Sequence, residues 1–475
     1  MNNIIIRCLK VALLAILVQS CAIPKIVQKK ENKSVPTAYS NSKDSTNSAT
    51  VKWQDFFADP NLVALIDTAL SNNQELNIFQ QEIKMAQNEI LSRKGAYLPF
   101  VNAGGLAGIE RVGRYTSQGA NDAGADMEPG KKVPENLPDF GIGLSASWEI
   151  DIWHKLRNAR DAAATRYLAS VEGRNFMITQ LVAEIAASYY ELMALDNMLL
   201  ILEQNIEIQQ NALRIVRQQK EAARVTELAV RRFEAEVLKN QSRRYYVQQE
   251  IIEISNRINF LLGRYPQPIP RDPQKFGALV PDSISVGLPV QLLDNRPDIK
   301  QAELELMASK LDIKVAKAEF YPSLRISAAV GLQAFNPKFF ISPESILYSL
   351  AGDMVGPIIN RKAIKAEYLS ANARQIQAVY NYERSILNGY IEVANQLAKI
   401  GNLAQSYDLK AQQVKALNES ITIATNLFKS AKADYMEVLL TQRDALDARI
   451  ELVETKMHQM DAWVSLYRAL GGGWR

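Results

Sequence analysis

Two cysteines, two histidines and a large set of carboxylates are the residues of this 475-residue chain whose types could do chemistry. Cys21 is the most specific of them. Arg7 and Lys10 precede an apolar run from Val11 to Val18. That run is shorter than the roughly 20 residues a bilayer-spanning helix needs. It reads as the apolar core of a secretory signal behind a basic start, residues 1–20. Val18-Gln-Ser-Cys21 then has the form of a lipobox, which predicts that Cys21 is acylated and becomes the mature N-terminus. Cys8 leaves with the signal, so the mature chain has no pair for a disulfide and must be held by packing or oligomerisation. His154 and His458 lie far apart in sequence, which gives no support to a histidine metal site or a histidine-dependent triad. No nucleophile elbow, phosphate-binding glycine loop or zinc spacing occurs. Counting alone leaves a carboxylate-only enzyme open, but the carboxylates fall on heptad-patterned helices as solvated faces. The expectation is no enzyme, no cofactor and no metal. With 55 basic and 51 acidic residues the charge is nearly balanced, so nucleic acid is not an expected partner.

The elements that would position anything are arranged as a tandem repeat. Residues 21–52, rich in Ser, Asn, Lys and Thr, read as a flexible tether. The first repeat takes 53–263, a linker or equatorial segment 264–288, and the second repeat 289–475. In the first, Ile83 to Pro99 looks like a helix breaking into a strand; Leu306 to Pro322 reads the same way in the second. Val225-Thr-Glu-Leu matches Tyr435-Met-Glu-Val, and Leu261-Leu-Gly matches Ala469-Leu-Gly. After each proline, residues alternate with period two. From Phe140 to Ile152 one face carries Ile142, Leu144 and Trp148, and the other Ser145 and Glu149. From Leu324 to Ala334 one face carries Ile326 and Val330, and the other Arg325 and Gln333. Weaker alternation runs over 100–112 and 346–358, and a long polar connection fills 113–137. Alternation over about ten residues suits a transmembrane β-strand, with Ile142, Leu144, Trp148, Ile326 and Val330 toward lipid. A soluble sheet with one buried face would alternate similarly.

The rest of each repeat is long helix. Leu181, Ile185, Ser188, Leu192, Leu195, Leu199, Leu202, Ile206, Gln209, Leu213 and Val216 step by four and three, an apolar seam of the coiled-coil kind. The returning helix carries Val230, Phe233, Val237, Asn240, Arg244 and Val247, and the last helix Leu446, Ile450, Val453 and Met457. Helical patterning from Lys155 to Lys220 corresponds to about 100 Å at 1.5 Å per residue. Four strands cannot close a barrel, since the smallest membrane barrels have about eight. Copies of the chain must complete it; two copies would give eight strands, three would give twelve, and spacing does not choose. A periplasmic coiled-coil lipoprotein without a pore is the alternative, and the alternation at 140–152 argues against it.

The run Leu288-Pro-Val-Gln-Leu-Leu-Asp-Asn-Arg-Pro-Asp-Ile-Lys-Gln-Ala-Glu303 resembles the LP…L…RPD(I/V)…AE signature of OprM-like lipoprotein channels, within the TolC-like outer-membrane efflux family. Ser147-Trp-Glu-Ile-Asp-Ile-Trp153, Phe320-Tyr-Pro-Ser-Leu324 and Leu466-Tyr-Arg-Ala-Leu-Gly-Gly-Gly-Trp474 extend the resemblance over nearly all the chain after Trp53. The resemblance implies a mainly helical protein with transmembrane β-structure. A homotrimer would share a twelve-stranded barrel in the outer membrane and a long α-helical barrel in the periplasm. A mixed belt would draw on 53–73, 265–289 and the C-terminal end. It further implies a passive export duct for drugs or other small molecules, with outer-membrane lipid, a periplasmic adaptor (membrane fusion) protein and an inner-membrane resistance-nodulation-division pump as partners. A periplasmic gate is expected at Met436, Glu437, Leu440 and Arg443. The sequence departs from the family pattern where Ala223 and Ala431 replace glycines in the tip turns, and where Leu440 replaces an acidic residue.

Overall fold

The computed structural model describes residues 23–39, 45–279, 284–430 and 432–475. Seven principal helices and four principal strands organise them. In chain order the helices are α1 (Pro60–Asn72), α2 (Gln74–Tyr97), α3 (Lys155–Glu221), α4 (Glu227–Leu261), α5 (Pro297–Ala318), α6 (Lys362–Lys429) and α7 (Tyr435–Ala469). The strands are β1 (Phe100–Glu110), β2 (Leu137–Ile150), β3 (Ser323–Ala334) and β4 (Ile346–Val355). The duplication is visible in element lengths: α3 and α6 have 67 and 68 residues, and α4 and α7 have 35 each. It reaches the backbone too. The turns that leave β2 and β4 for a long helix each hold one residue in the left-handed region, His154 (φ 56°) and Asn360 (φ 55°). His and Asn are among the non-glycine residues that tolerate this region.

The compact units cut across the sequence repeats. Of the described residues, one unit combines 85–167 with 304–379 and 23–30; the other combines 31–84, 168–303 and 380–475. Each therefore takes matching pieces of both repeats.

In the first unit the strands form one antiparallel sheet in the order β1-β2-β3-β4. The joint between repeats is β2 with β3, registered from Phe140↔Ala334 to Ile150↔Leu324. Gly143 faces Gly331 in that register. A Cβ on Gly143 would lie 2.7 Å from the Val330 carbonyl oxygen, and one on Gly331 2.6 Å from that of Ile142. The two backbones approach closer than any side chain permits, so both positions require glycine. The long 113–137 connection folds into a helix, Ser117–Gly124, and a small hairpin of Asp126–Glu128 with Lys131–Lys132.

The second unit holds the largest apolar core. It joins Trp53, Phe57, Leu62 and Ile66 to Ile185, Tyr189, Leu192, Phe276, Trp463 and Tyr467. Phe56 stacks between Trp463 and Tyr467 at centroid distances of 4.2 and 3.8 Å. Described residues from 53–73, 265–289 and the C-terminal end thus meet in one core, where Ile269 and Phe276 are buried. Helix α3 is long and apolar enough to cross a membrane by composition. Its apolar positions are instead the seam, with Leu181, Ile185, Leu192, Leu202, Leu213 and Val216 buried.

The expectation of a flexible tether over 21–52 is corrected for its described part. Ile23 and Ile26 pack on Ile313, Phe320 and Tyr368, and Gln375 Nε2 donates to the Lys29 carbonyl at 3.1 Å. In the second unit, Glu383 accepts from the Asn32 amide at 3.1 Å, Lys33 pairs with Glu303, and Tyr39 stacks on Tyr390 at 5.3 Å. The polar composition suggested a solvated chain, but aliphatic and aromatic side chains spaced along it dock it as a strap.

Candidate functional site: a two-faced sheet and a helical tip

Cross-strand partners share a face, so the register sorts the sheet. Leu144 pairs with Val330 and Ala103, Trp148 with Ile326, and Ile142 with Leu332 and Gly105. Val330 in turn pairs with Tyr348, and Ala328 with Leu350. This face carries no charged residue on any of the four strands. The opposite face carries Ser145, Glu149, Arg325, Gln333 and Asp353, with Glu149 opposite Arg325 and Arg325 opposite Asp353. Gln333 Nε2 donates to both oxygens of Asp139 at 2.9 and 2.8 Å. All five residues expected toward lipid therefore lie on one apolar face, and the four expected toward water on the other. Ile142, Leu144 and Val330 are more than half exposed in the single chain.

Aromatic residues with anchored polar groups collect where the sheet meets the helices. Trp148 Nε1 donates to the Tyr97 carbonyl at 3.0 Å and Trp153 Nε1 to that of Pro322 at 2.8 Å. Trp153 stacks on Tyr321 at 4.6 Å, and the Arg157 guanidinium sits 5.0 Å over the Tyr97 ring. Amphipathic aromatics of this kind mark a membrane–water interface. Between the two tryptophans, buried Asp151 accepts from the Leu156 and Arg157 amides at 3.0 and 2.9 Å, capping α3. The Trp148–Trp153 motif thus holds a strand end, a helix cap and two anchored indoles in six residues.

The Arg296-Pro-Asp298 motif is a buried clamp in the second unit. Arg296 is 5% exposed. Its Nε and Nη2 bond Asp298 at 3.0 and 2.7 Å, and Nη1 bonds both Glu392 and the Ala469 carbonyl at 2.8 Å. One guanidinium thereby ties the start of α5 to α6 and to the end of α7. Burial disfavours its charge, yet Asp298 and Glu392 more than compensate and raise its pKa. Glu303, the last residue of the same sequence signature, holds Lys33 of the strap.

At the tip of the second unit, α3 ends in a paired-hydrogen-bond cap. The Arg224 amide donates to the Gln219 carbonyl and the Ala223 amide to that of Lys220, both at 2.9 Å. This is the Schellman arrangement, whose left-handed position favours glycine. Ala223 occupies it with φ 55°. The other turn breaks between Lys429 and Tyr435, where the Lys432 amide returns to the Leu427 carbonyl at 2.9 Å. Ala431 lies outside the described residues. On α7, Val438 and Leu439 are buried, while Glu437, Leu440 and Arg443 are exposed. Met436 is half-buried, and its sulfur accepts from Arg232 at 2.8 Å. Arg443 pairs with Asp444 at 3.1 Å. Met436, Leu440 and Arg443 are spaced i, i+4, i+7 and share a helix face. Cys21 lies outside the described residues.

The sequence reading missed the clamp, the docked strap and the Gly143–Gly331 contact. In the sequence Arg296 and Glu303 stand out only as parts of a signature.

A sheet with one apolar and one polar face suits strands that meet lipid on one side and water on the other, the pattern of an outer-membrane channel protein. The outer membrane efflux protein family matches residues 65–264 and 288–472, and the chain belongs to this family. It is similar to the pyoverdine export outer membrane protein OpmQ of Pseudomonas aeruginosa, 27% identical over 425 residues covering 89% of this chain and 88% of OpmQ. The toluene efflux pump outer membrane protein TtgI of Pseudomonas putida is 27% identical over 450 residues, 92% of this chain and 91% of TtgI. Among solved structures, the Neisseria gonorrhoeae MtrE outer membrane channel in its open state superposes with a TM-score of 0.82 at 23% identity, covering 96% of this chain and 98% of MtrE. The chain is an outer-membrane efflux channel subunit.

Proposed function

We propose that three copies of this chain form a passive export duct that is energised from outside itself. The observation that carries this reading is the four-stranded sheet with one unbroken apolar face and two unpaired edges, β1 and β4. In lipid each unsatisfied backbone group costs several kcal/mol. Pairing β1 of one copy with β4 of the next removes both edges, and three copies close a twelve-stranded barrel with its polar face on the lumen. Tyr245, Tyr246, Phe260, Leu387 and Leu409, all more than half exposed in the single chain, supply apolar area for the helical contacts between copies. Acylation of Cys21 anchors each copy in outer-membrane lipid. The tip of α7 is the gate, with Met436, Glu437, Leu440 and Arg443 at the constriction. Beyond the tip the duct meets a periplasmic adaptor, which joins it to an inner-membrane resistance-nodulation-division pump. Pyoverdine and toluene stand in the names of two relatives, so one duct architecture accepts unlike small molecules and the pump selects among them.

Single cysteines along β1, centred on Ala103, and along β4, centred on Leu350, test the closure. Within one chain these edges are three strand spacings apart, about 14 Å. Disulfide-linked trimers on oxidation support the duct; purely monomeric product at every position overturns it. For the gate, Arg443→Ala and Glu437→Ala should raise single-channel conductance in planar bilayers. Wild-type conductance in both variants would move the constriction elsewhere.

A further inference from the structure

A layer of polar side chains interrupts the apolar seam of the helical unit. On the turn side, Leu213, Phe233 and Leu439 belong to one cluster; on the other side, Leu202, Val247 and Leu446 belong to the next. Between them stand Asn205 and Gln209, flanking the buried Ile206, on α3, and Asn240 and Arg244 on α4. Gln442 of α7 falls at the same level, midway between Leu439 and Leu446. The four amides are nearly inaccessible: 6% for Asn205, 1% for Gln209, 1% for Asn240 and 6% for Gln442. One bond crosses between these helices within the layer, from Asn240 Nδ2 to Gln209 Oε1 at 2.9 Å. Asn205 Oδ1, Gln209 Nε2, Asn240 Oδ1, Arg244 Nε and Gln442 Oε1 are buried without a protein hydrogen-bond partner among the described residues. Five such atoms at one level of a single helical seam are a concentration that buried polar groups rarely show. They comprise two donors and three acceptors, the mixed set that bridging water requires, since a buried water takes two to four polar partners.

We propose that this layer is a hydrated hinge. Ordered water bridges its donors and acceptors, and here the turn-side segments of α3, α4 and α7 bend away from the rest of the bundle when the duct opens. The proposal rests on the reading of the chain as a gated duct. Its physical basis is an asymmetry along the seam. Parting the apolar clusters on either side would expose area at about 25 cal/mol per Å². Parting the polar layer exposes groups that water already solvates. A polar residue at a seam position also fixes helix register at some cost in stability, so the layer keeps three helices aligned while they flex. The Arg243–Asp447 pair, 3.0 Å apart and partly exposed, flanks the layer and can re-form in solvent after bending.

Two measurements test the hinge. In the wild-type protein, hydrogen exchange at backbone amides 205–209, 240–244 and 440–444 should be faster than in both flanking clusters. Exchange that is uniform along the seam, or slowest in the layer, overturns the proposal. The triple variant Gln209→Leu/Asn240→Leu/Gln442→Leu should melt at higher temperature, because a dry apolar seam replaces unsatisfied polar groups. Its opening frequency in planar bilayers should fall by about fivefold, the worth of roughly one net hydrogen bond. An unchanged opening frequency would sink the hinge. If the triple variant fails to assemble, the wild-type exchange pattern decides alone. A wild-type protein that inserts but never conducts counts against the duct, and exchange still judges the layer.

Discussion

Replacing Ala223 with glycine should strengthen the tip of the α3–α4 hairpin. Ala223 closes the cap with φ 55°, and its amide and that of Arg224 both depend on this geometry. A left-handed conformation costs a non-glycine residue about 1–2 kcal/mol. Glycine removes that cost but gives the unfolded segment more freedom, worth about 0.4–1 kcal/mol in the opposite sense. The net gain is about 0.5–1 kcal/mol, which corresponds to roughly two- to fivefold in a local opening equilibrium. Ala223 is exposed and faces solvent at the turn, so no packing is lost by the change. Hydrogen exchange followed by mass spectrometry on peptides spanning 218–226 reads the effect directly. Exchange of the 223 and 224 amides should slow by that factor in Ala223→Gly. Unchanged or faster exchange would refute the argument that this alanine is strained. Gly263 supplies the contrast. It closes an equivalent cap at φ 65°, but a Cβ there would stand 2.5 Å from the Asn72 carbonyl oxygen. Gly263→Ala should therefore destabilise the core around α1 by more than Ala223→Gly stabilises the tip.

Three further outcomes follow from the geometry. Arg296→Met removes the bonds to Asp298, Glu392 and the Ala469 carbonyl and should cost about 1–3 kcal/mol, seen as a lowered melting temperature or lost assembly; a stable trimer with wild-type melting would contradict the clamp. Leu144→Arg on the apolar face should cost about 2–4 kcal/mol near the bilayer midplane, whereas Ser145→Arg on the polar face should be tolerated; equal effects on outer-membrane yield would mean the faces are misassigned. Burial raises the Glu191 carboxyl above its ordinary 4.5, against the opposing pull of Arg257. A raised acid contributes stability below its ordinary value and loses it as pH rises through the folded value. Glu191→Gln should therefore stabilise the protein at pH 7, with the difference shrinking below pH 4.5; the same shift in melting temperature at both pH values would count against this.

Much of the architecture was legible because it follows from periodicity. The four-and-three stepping of Leu181 to Val216 names the buried side of α3, and the alternation at Phe140 to Ile152 names the two faces of β2. The prolines place the helix-to-strand breaks, with helices ending at Tyr97 before Pro99 and at Ala318 before Pro322. The unread parts depend on pairings between distant segments. Nothing in the Gly143 or Gly331 neighbourhood announces that the two glycines meet, because each is also compatible with a small lumen-facing position. Arg296 looked like part of a signature, and only the fold brings Glu392 and the Ala469 carbonyl to it. The N-terminal segment misled by composition: its polar residues dominate the count, while the few that dock it, Ile23, Ile26 and Tyr39, are sparse. For the tip, sequence spacing gave the shared face of Met436, Leu440 and Arg443, but a constriction depends on neighbouring copies.

The β2–β3 pairing has a consequence for how the chain is made. Ile150 pairs with Leu324, so the sheet has no centre until both long helices of the first repeat and the whole clamp segment have been synthesised. Early pairing is confined to the β1–β2 hairpin, and a lone hairpin is marginal in water. Contacts of such wide sequence separation form slowly and leave strand edges exposed to aggregation in the meantime. The apolar face of β2 and its edge toward β3 therefore stay open longer than any helical seam does, and shielding that edge matters more to the making of this chain than speeding its helices.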